Sequence, residues 1–119
     1  MADPLPRLRA LCTAFPEVTE KLSHGSPTWF VRKTFVMFVG EHHGARLGLW
    51  CAAPPGAQEE MVAEDPDRFF RPPYVGHRGW LGVYLDGDVD WDEIAEIVQE
   101  AYRTVAPKKL VALLDERQA

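Results

Sequence analysis

Residues 18–51, VTEKLSHGSPTWFVRKTFVMFVGEHHGARLGLWC, indicate a β-sheet because they consist of short apolar runs separated by turn formers. The runs at 18–22, 28–31, 35–39 and 46–51 are rich in β-branched and aromatic residues, which is typical of strands. Arg32 and Lys33 are predicted to form a tight turn between the second and third runs, and residues 40–45 the next turn. Connections this short leave no room for a crossover helix, so the strands are expected to be antiparallel.

Helical patterns flank this strand-rich stretch. Residues 5–15 carry apolar side chains at helical spacing after a start signal at Asp3, and Pro16 ends the pattern. In DWDEIAEIVQEAYRTVA, residues 90–106, Asp90 and Glu93 are predicted to form a capping box before one long apolar face. Shorter helices are expected at 58–64 and 108–117, and a fifth strand at 80–85.

The order of these elements predicts one α+β domain over residues 1–119. It consists of an antiparallel sheet with helices packed on one face, in the order α-β-β-β-β-α-β-α-α. The formal charge of −5 argues against a generally basic nucleic-acid coat, although a local basic patch is compatible with it. Cys12 and Cys51 are too far apart for a CxxC pair, so reduced, buried thiols are expected.

Nothing in the sequence predicts a secretion signal or a membrane span, so a soluble, cytoplasmic protein is expected. The histidines at 24, 42, 43 and 77 are scattered, and no cofactor or metal site is predicted. The acids at 86, 88, 90 and 92 do not form an EF-hand, because the sixth and twelfth positions hold Trp91 and Ile97. We read them as a turn, a helix cap and an exposed acidic face, with weak cation binding left open. No catalytic constellation is identified.

The second half resembles the MmcQ/YjbR family over residues 72–110, PPYVGHRGWLGVYLDGDVDWDEIAEIVQEAYRTVAPKKL. The shared features are a proline-tyrosine pair, a basic residue near a tryptophan, a strand ending in aspartate-glycine, and a helix with a tyrosine before a lysine-leucine end. Residues 23–38, SHGSPTWFVRKTFVMF, are similar to the family's hairpin. The resemblance implies a fold like that of bacterial frataxin (CyaY-like) proteins. It also implies DNA binding through a double-wing arrangement of hairpins, with no established enzyme activity.

Charge is segregated along the chain in a way that fits this implication. Residues 21–40 and 68–85 contain bases and aromatics but no acid, whereas residues 86–100 hold seven acids and no base. Cations neutralise phosphates and rings stack on bases, so the first two segments predict a nucleic-acid surface. Phosphate contacts are assigned to Arg32, Lys33, Arg71, Arg78, Lys108 and Lys109, and bracing or stacking to Trp29, Tyr74 and Trp80.

Several alternatives stay open at this stage. The aromatics are also compatible with a core, and the charges with solvated strand edges. The same aromatic residues, with Pro27 and Pro73, line a small-ligand groove if the first hairpin and the fifth strand are neighbours. The hypotheses are therefore a non-enzymatic, monomeric DNA-binding module, a protein-interaction or cation-binding domain using the acidic face, and a small-molecule-binding protein or enzyme.

Overall fold

The computed structural model describes residues 3–40 and 46–118. In these residues it has four α-helices and six strands, with a short 3-10 helix at Gly76–Arg78. In chain order the elements are α1 (Leu5–Thr13), β1 (Thr19–Ser23), β2 (Ser26–Val31), β3 (Lys33–Val39), β4 (Gly48–Cys51), α2 (Ala57–Glu64), β5 (Phe69–Phe70), β6 (Leu81–Tyr84), α3 (Trp91–Val105) and α4 (Lys108–Gln118).

All six strands form one antiparallel sheet in the order β1-β2-β3-β4-β6-β5. The predicted α+β class and element order are confirmed, with one strand more than the sequence predicted. The additional strand, β5, has only two residues, too few for an alternating pattern to appear in the sequence. The β2–β3 turn is also tighter than predicted, because Arg32 alone separates Val31 from Lys33.

Alternation along the strands gives the sheet two different faces. The face under the helices carries a line of paired, fully buried residues that includes Trp29, Val36 and Cys51. A register shift between β2 and β3 adds an extra residue, so Phe35 also points into this layer. There it contacts the rings of Phe15 and Tyr102. The bulge therefore adds a large aromatic side chain to the core.

Helix α3 is the central helix of the covering layer. Its N-cap Asp90 accepts from the backbone amides of Asp92 and Glu93, as half of a capping box does. Ile94 and Val98 are buried, whereas Ile97, predicted on the same face, is only half-buried. The helices of the described residues are all too short or too polar to cross a membrane.

Candidate functional site

A groove of about 1050 Å³ lies on the other face of the sheet over β2, β3 and β4, and no residue of the described α-helices lines it. Its floor is formed by outward residues of these three strands. Thr28 pairs with Met37 and Met37 with Trp50, so the register places these side chains in one row across the sheet. The floor residues that line the groove are Phe30, Thr34, Met37, Val39 and Trp50.

The opposite wall is the β5–β6 connection, residues 71–80. Its residues Pro73, Tyr74, Val75, Arg78 and Trp80 line the groove together with the floor. Buried Gln58 at the start of α2 holds this connection, because its Nε2 donates to the carbonyl oxygens of Gly76 (2.8 Å) and Trp80 (2.5 Å). One side chain thus fixes both ends of the 3-10 turn that carries Arg78.

Three cationic residues from two segments of the chain line the groove. Arg32 and Lys33 come from the β2–β3 turn, and Arg78 comes from the β5–β6 connection. The Arg78 guanidinium lies over Trp80, 5.5 Å from the ring centroid, and Trp80 itself is only 6% exposed. Trp80 therefore braces the cation. Among the described residues that line the groove there is no aspartate or glutamate.

Arg32 has an acidic partner from outside the groove. Its guanidinium donates to the Glu17 carboxylate at 2.8 Å, and both side chains are about half exposed. An exposed pair of this kind contributes about 0–1 kcal/mol, so an anion in the groove can compete with Glu17 for the guanidinium. The acid-free segment 21–40 therefore gains a negative neighbour in the tertiary structure.

Residues with unusual backbone geometry are concentrated at the groove rim. Four non-glycine residues of the described chain have positive φ, and three of them, His24, Arg32 and Tyr74, line the groove. His24 is accounted for by the two-residue turn that it forms with Gly25. Tyr74 has a φ of 66°, and the residue is 85% exposed. Backbone in this region is strained for a tyrosine, and such strain is common at binding sites.

The structure separates the predicted site residues into groups. Arg32, Lys33, Arg78, Tyr74 and Trp80 meet around the groove. Arg71 belongs to the same connection, where its side chain lies against Gly76 so closely that a Cβ there would be 2.6 Å from Arg71 Cγ. Lys108 and Lys109 begin α4 and do not line the groove.

Trp29 needs a correction, because it was assigned to the groove and lies on the opposite face. It is completely buried, and its indole Nε1 donates to Glu20 at 2.8 Å. Neighbouring positions of a strand point to opposite faces, so Phe30 occupies the place that was assigned to Trp29. Pro27 is likewise absent from the described lining.

Sequence reasoning missed Phe30, Met37, Val39 and Trp50 as groove residues. A period-2 reading of residues 28–31 separates Phe30 from Trp29, and this signal was present in the sequence. No sequence signal indicated the contribution of β4, because the strand order is needed to place Trp50 beside Met37. The hairpin and the predicted fifth strand are not direct neighbours, because β4 lies between the β2–β3 hairpin and β6, and the connection 71–80 completes the groove.

Several acids of the segment 86–100 are already engaged. Asp86 accepts two bonds of 2.8 Å from Arg46, which hold the pKa of its carboxyl below the usual range. Asp90 caps α3, and Glu93 contacts Arg68. Within the described part of the chain, no three His, Cys, Asp or Glu residues are grouped so that they could hold a metal ion. His42 and His43 lie outside the described residues.

Both cysteines are buried in the core, as the sequence predicted. Burial raises the pKa of the Cys51 thiol to about 12, and burial is also the main cause that raises the pKa of Cys12. Burial therefore disfavours the thiolate form of both cysteines.

Comparison with known proteins agrees with this architecture. The crystal structure of Deinococcus radiodurans protein DR2400, which carries a DUF419 domain, superposes with a TM-score of 0.68 at 19% identity. The superposition covers 82% of this chain and 75% of that one, and it shows a shared fold. No curated protein matches the chain. A sequence model of the YjbR family matches residues 13–104, which is well over half of the chain. The chain therefore belongs to the YjbR family.

Proposed function

We propose that this protein is a non-enzymatic binding module that binds nucleic acid, with DNA as the expected partner, in the groove over β2, β3 and β4. The observation that carries the proposal is the described lining, which combines Arg32, Lys33 and Arg78 with aromatic rings and contains no acid. In a chain of net charge −5 this is a local concentration of positive charge. Nucleic acid binds to such a surface because the cations neutralise its phosphates and release the counterions that were condensed on them.

The position of the cations also supports a polyanion as the ligand. Arg32 and Lys33 belong to the β2–β3 turn region and Arg78 to the β5–β6 connection, so cations from two separate segments of the chain line one groove. Lys21 adds charge beside it, with Nζ 5.9 Å from the centroid of the Phe30 ring. Arg71 lies in the same connection as Arg78, whereas Lys108 and Lys109 are left out of the proposed contact.

The acidic face is the second candidate surface, for a protein partner or a weakly held cation, and it has less support. Asp86, Asp90 and Glu93 already have partners in the fold. The cytoplasmic location, the monomeric state and the frataxin-like relationship stay predictions.

The test compares two double variants that remove the same charge. Arg32→Gln/Arg78→Gln removes two groove cations, and Lys108→Gln/Lys109→Gln removes two cations of α4. Fluorescence anisotropy with labelled oligonucleotides at low salt measures the affinity of both variants. We expect the unmodified protein to bind with a dissociation constant on the order of 1–100 μM near physiological salt, as non-specific binders do.

The groove variant is expected to lose affinity and to show a shallower salt dependence, because phosphate contacts are removed. The α4 variant is expected to change only the long-range, screened part of the interaction. Equal losses in the two variants, or no binding at high micromolar protein, would reject the proposed site.

A further inference from the structure

The groove differs from a duplex-binding surface in its shape. The β2–β3 turn and the connection 71–80 border a half-open groove of about 1050 Å³ above the sheet floor, so the cations line a concavity. A cavity of this size matches the upper range of sites that take small organic ligands, roughly 300–1,000 Å³. It has room for a few unstacked nucleotides, whereas a double helix is read by a projecting helix or ribbon inserted into its groove.

The rings of the groove are the second observation. Phe30 and Trp50 are half-buried on the floor, and Tyr74 is 85% exposed on the wall. In a duplex the flat faces of the bases are covered by their neighbours, so rings of this kind reach only base edges, sugar and phosphate. Unpaired bases offer free faces to aromatic side chains, and such stacking tolerates any base.

Tyr74 is the residue whose placement is hardest to explain by stability. A tyrosine at positive φ with its ring in water adds strain and buries little apolar surface. By contrast, Gln58 fixes the connection that follows Tyr74 through two buried hydrogen bonds. The backbone that presents the exposed ring is therefore held in place before any ligand arrives, which lowers the cost of binding.

We propose that the groove binds unpaired nucleotides of a single strand in preference to a duplex. The bases stack against Tyr74 and Trp50, while the phosphates contact Arg78 and the Arg32–Lys33 turn. This inference deepens the proposed function and rests on it. It specifies single strands as the class of ligand. It also means that the bound strand must displace the Glu17 carboxylate from the Arg32 guanidinium.

The first experiment measures anisotropy with labelled oligo(dT), oligo(U) and a DNA duplex of the same length, and uses dTMP as an unlabelled competitor. We expect the single strands to bind at least about ten-fold more tightly than the duplex, because only they offer free base faces. The ratio between oligo(dT) and oligo(U) identifies which type of strand the groove prefers. Duplex binding that is equal or tighter overturns this inference and leaves nucleic-acid binding standing. No binding of any probe rejects both.

The second experiment separates stacking from charge. Tyr74→Ala is expected to weaken oligo(dT) binding by about ten-fold, the effect of losing one stacked base, while Tyr74→Phe retains most of the affinity. Leu22→Ala is the matched control, because Leu22 is 74% exposed and does not line the groove. Loss in Leu22→Ala equal to that in Tyr74→Ala, or an unchanged Tyr74→Ala, contradicts the stacking role.

The third experiment tests the competition at Arg32. Glu17→Gln frees the guanidinium and removes a negative charge beside the groove, so oligo(dT) binding is expected to become a few-fold tighter. Glu96→Gln on α3 removes the same charge at a distance and is expected to have a smaller effect that disappears with added salt. Equal gains in the two variants exclude a specific role of Glu17. A weaker Glu17→Gln variant would show that the ion pair holds Arg32 in its binding position.

Discussion

The two faces of the sheet are built from the same strands and have opposite properties. On the helical face, Trp29 is completely buried and its indole donates to Glu20. On the groove face, the neighbouring ring of Phe30 is half-buried and lies near the Lys21 ammonium. Apolar side chains on the first face are covered by helices, whereas those on the second are left beside cations and solvent. The helical face therefore stabilises the fold, and the proposed binding site uses the other face.

The largest expected effect comes from replacing one tryptophan on each face with alanine and comparing the losses of stability. Trp29→Ala should lower the free energy of unfolding by about 3–5 kcal/mol, because it leaves a cavity in a closed core. Trp50→Ala should cost clearly less, since Trp50 is only half-buried and water can fill the space. Urea unfolding of both variants measures the difference. Equal losses would contradict the distinction between the faces.

A smaller loss is expected where the groove wall is attached. Gln58→Leu keeps the volume of the side chain and removes its hydrogen bonds to the carbonyls of Gly76 and Trp80. We expect a loss of about 1–3 kcal/mol, the cost of leaving a buried acceptor unpaired. Gln118→Leu, at an exposed position of α4, is the control and should be close to neutral. A neutral Gln58→Leu variant would show that the connection 71–80 is held by other contacts.

The next effect is a pH dependence at the edge of the helical face. The hydrogen bond from Arg9 is the main cause that lowers the pKa of Glu20, and the Trp29 indole adds to it. A depressed pKa in the folded state stabilises the protein above the ordinary value of 4.5, and this contribution is lost as the pH falls through the folded value. Glu20→Gln should therefore be less stable at neutral pH, with the difference shrinking below about pH 4.5. Thermal melts between pH 3 and 7 measure it, and a constant difference would exclude this cause.

The smallest expected effect concerns the two cysteines, which should not react in the native protein. Cys12, in α1, and Cys51, on the helical face of the sheet, are buried and have raised pKa values, so a thiol reagent at pH 8 should not modify the native protein. Both thiols should react after unfolding in urea. Rapid labelling of the native protein would show that the helical layer opens readily.

Much of the fold was predictable because its signals are local. Turn formers separate the strands, Asp90 caps α3 by bonds within three residues, and buried positions of α3 repeat at helical spacing. The additional strand β5 was not predictable, since its two residues become a strand only through pairing with β6. The family resemblance was confirmed by the match over residues 13–104.

The site was predictable only in part. Residue types can be read without a structure, and they place Arg32, Lys33, Tyr74 and Arg78 in two acid-free aromatic segments. Which of these residues meet follows only from the folded chain, because strand order and the path of residues 71–80 depend on contacts between distant parts of the chain. The folded chain also decided that Trp29 faces the core and that Glu17 approaches Arg32. Local sequence fixes the chemistry of a side chain and its alternation along a strand. The face that becomes a core or a groove depends on where the helices pack, which is a property of the whole chain.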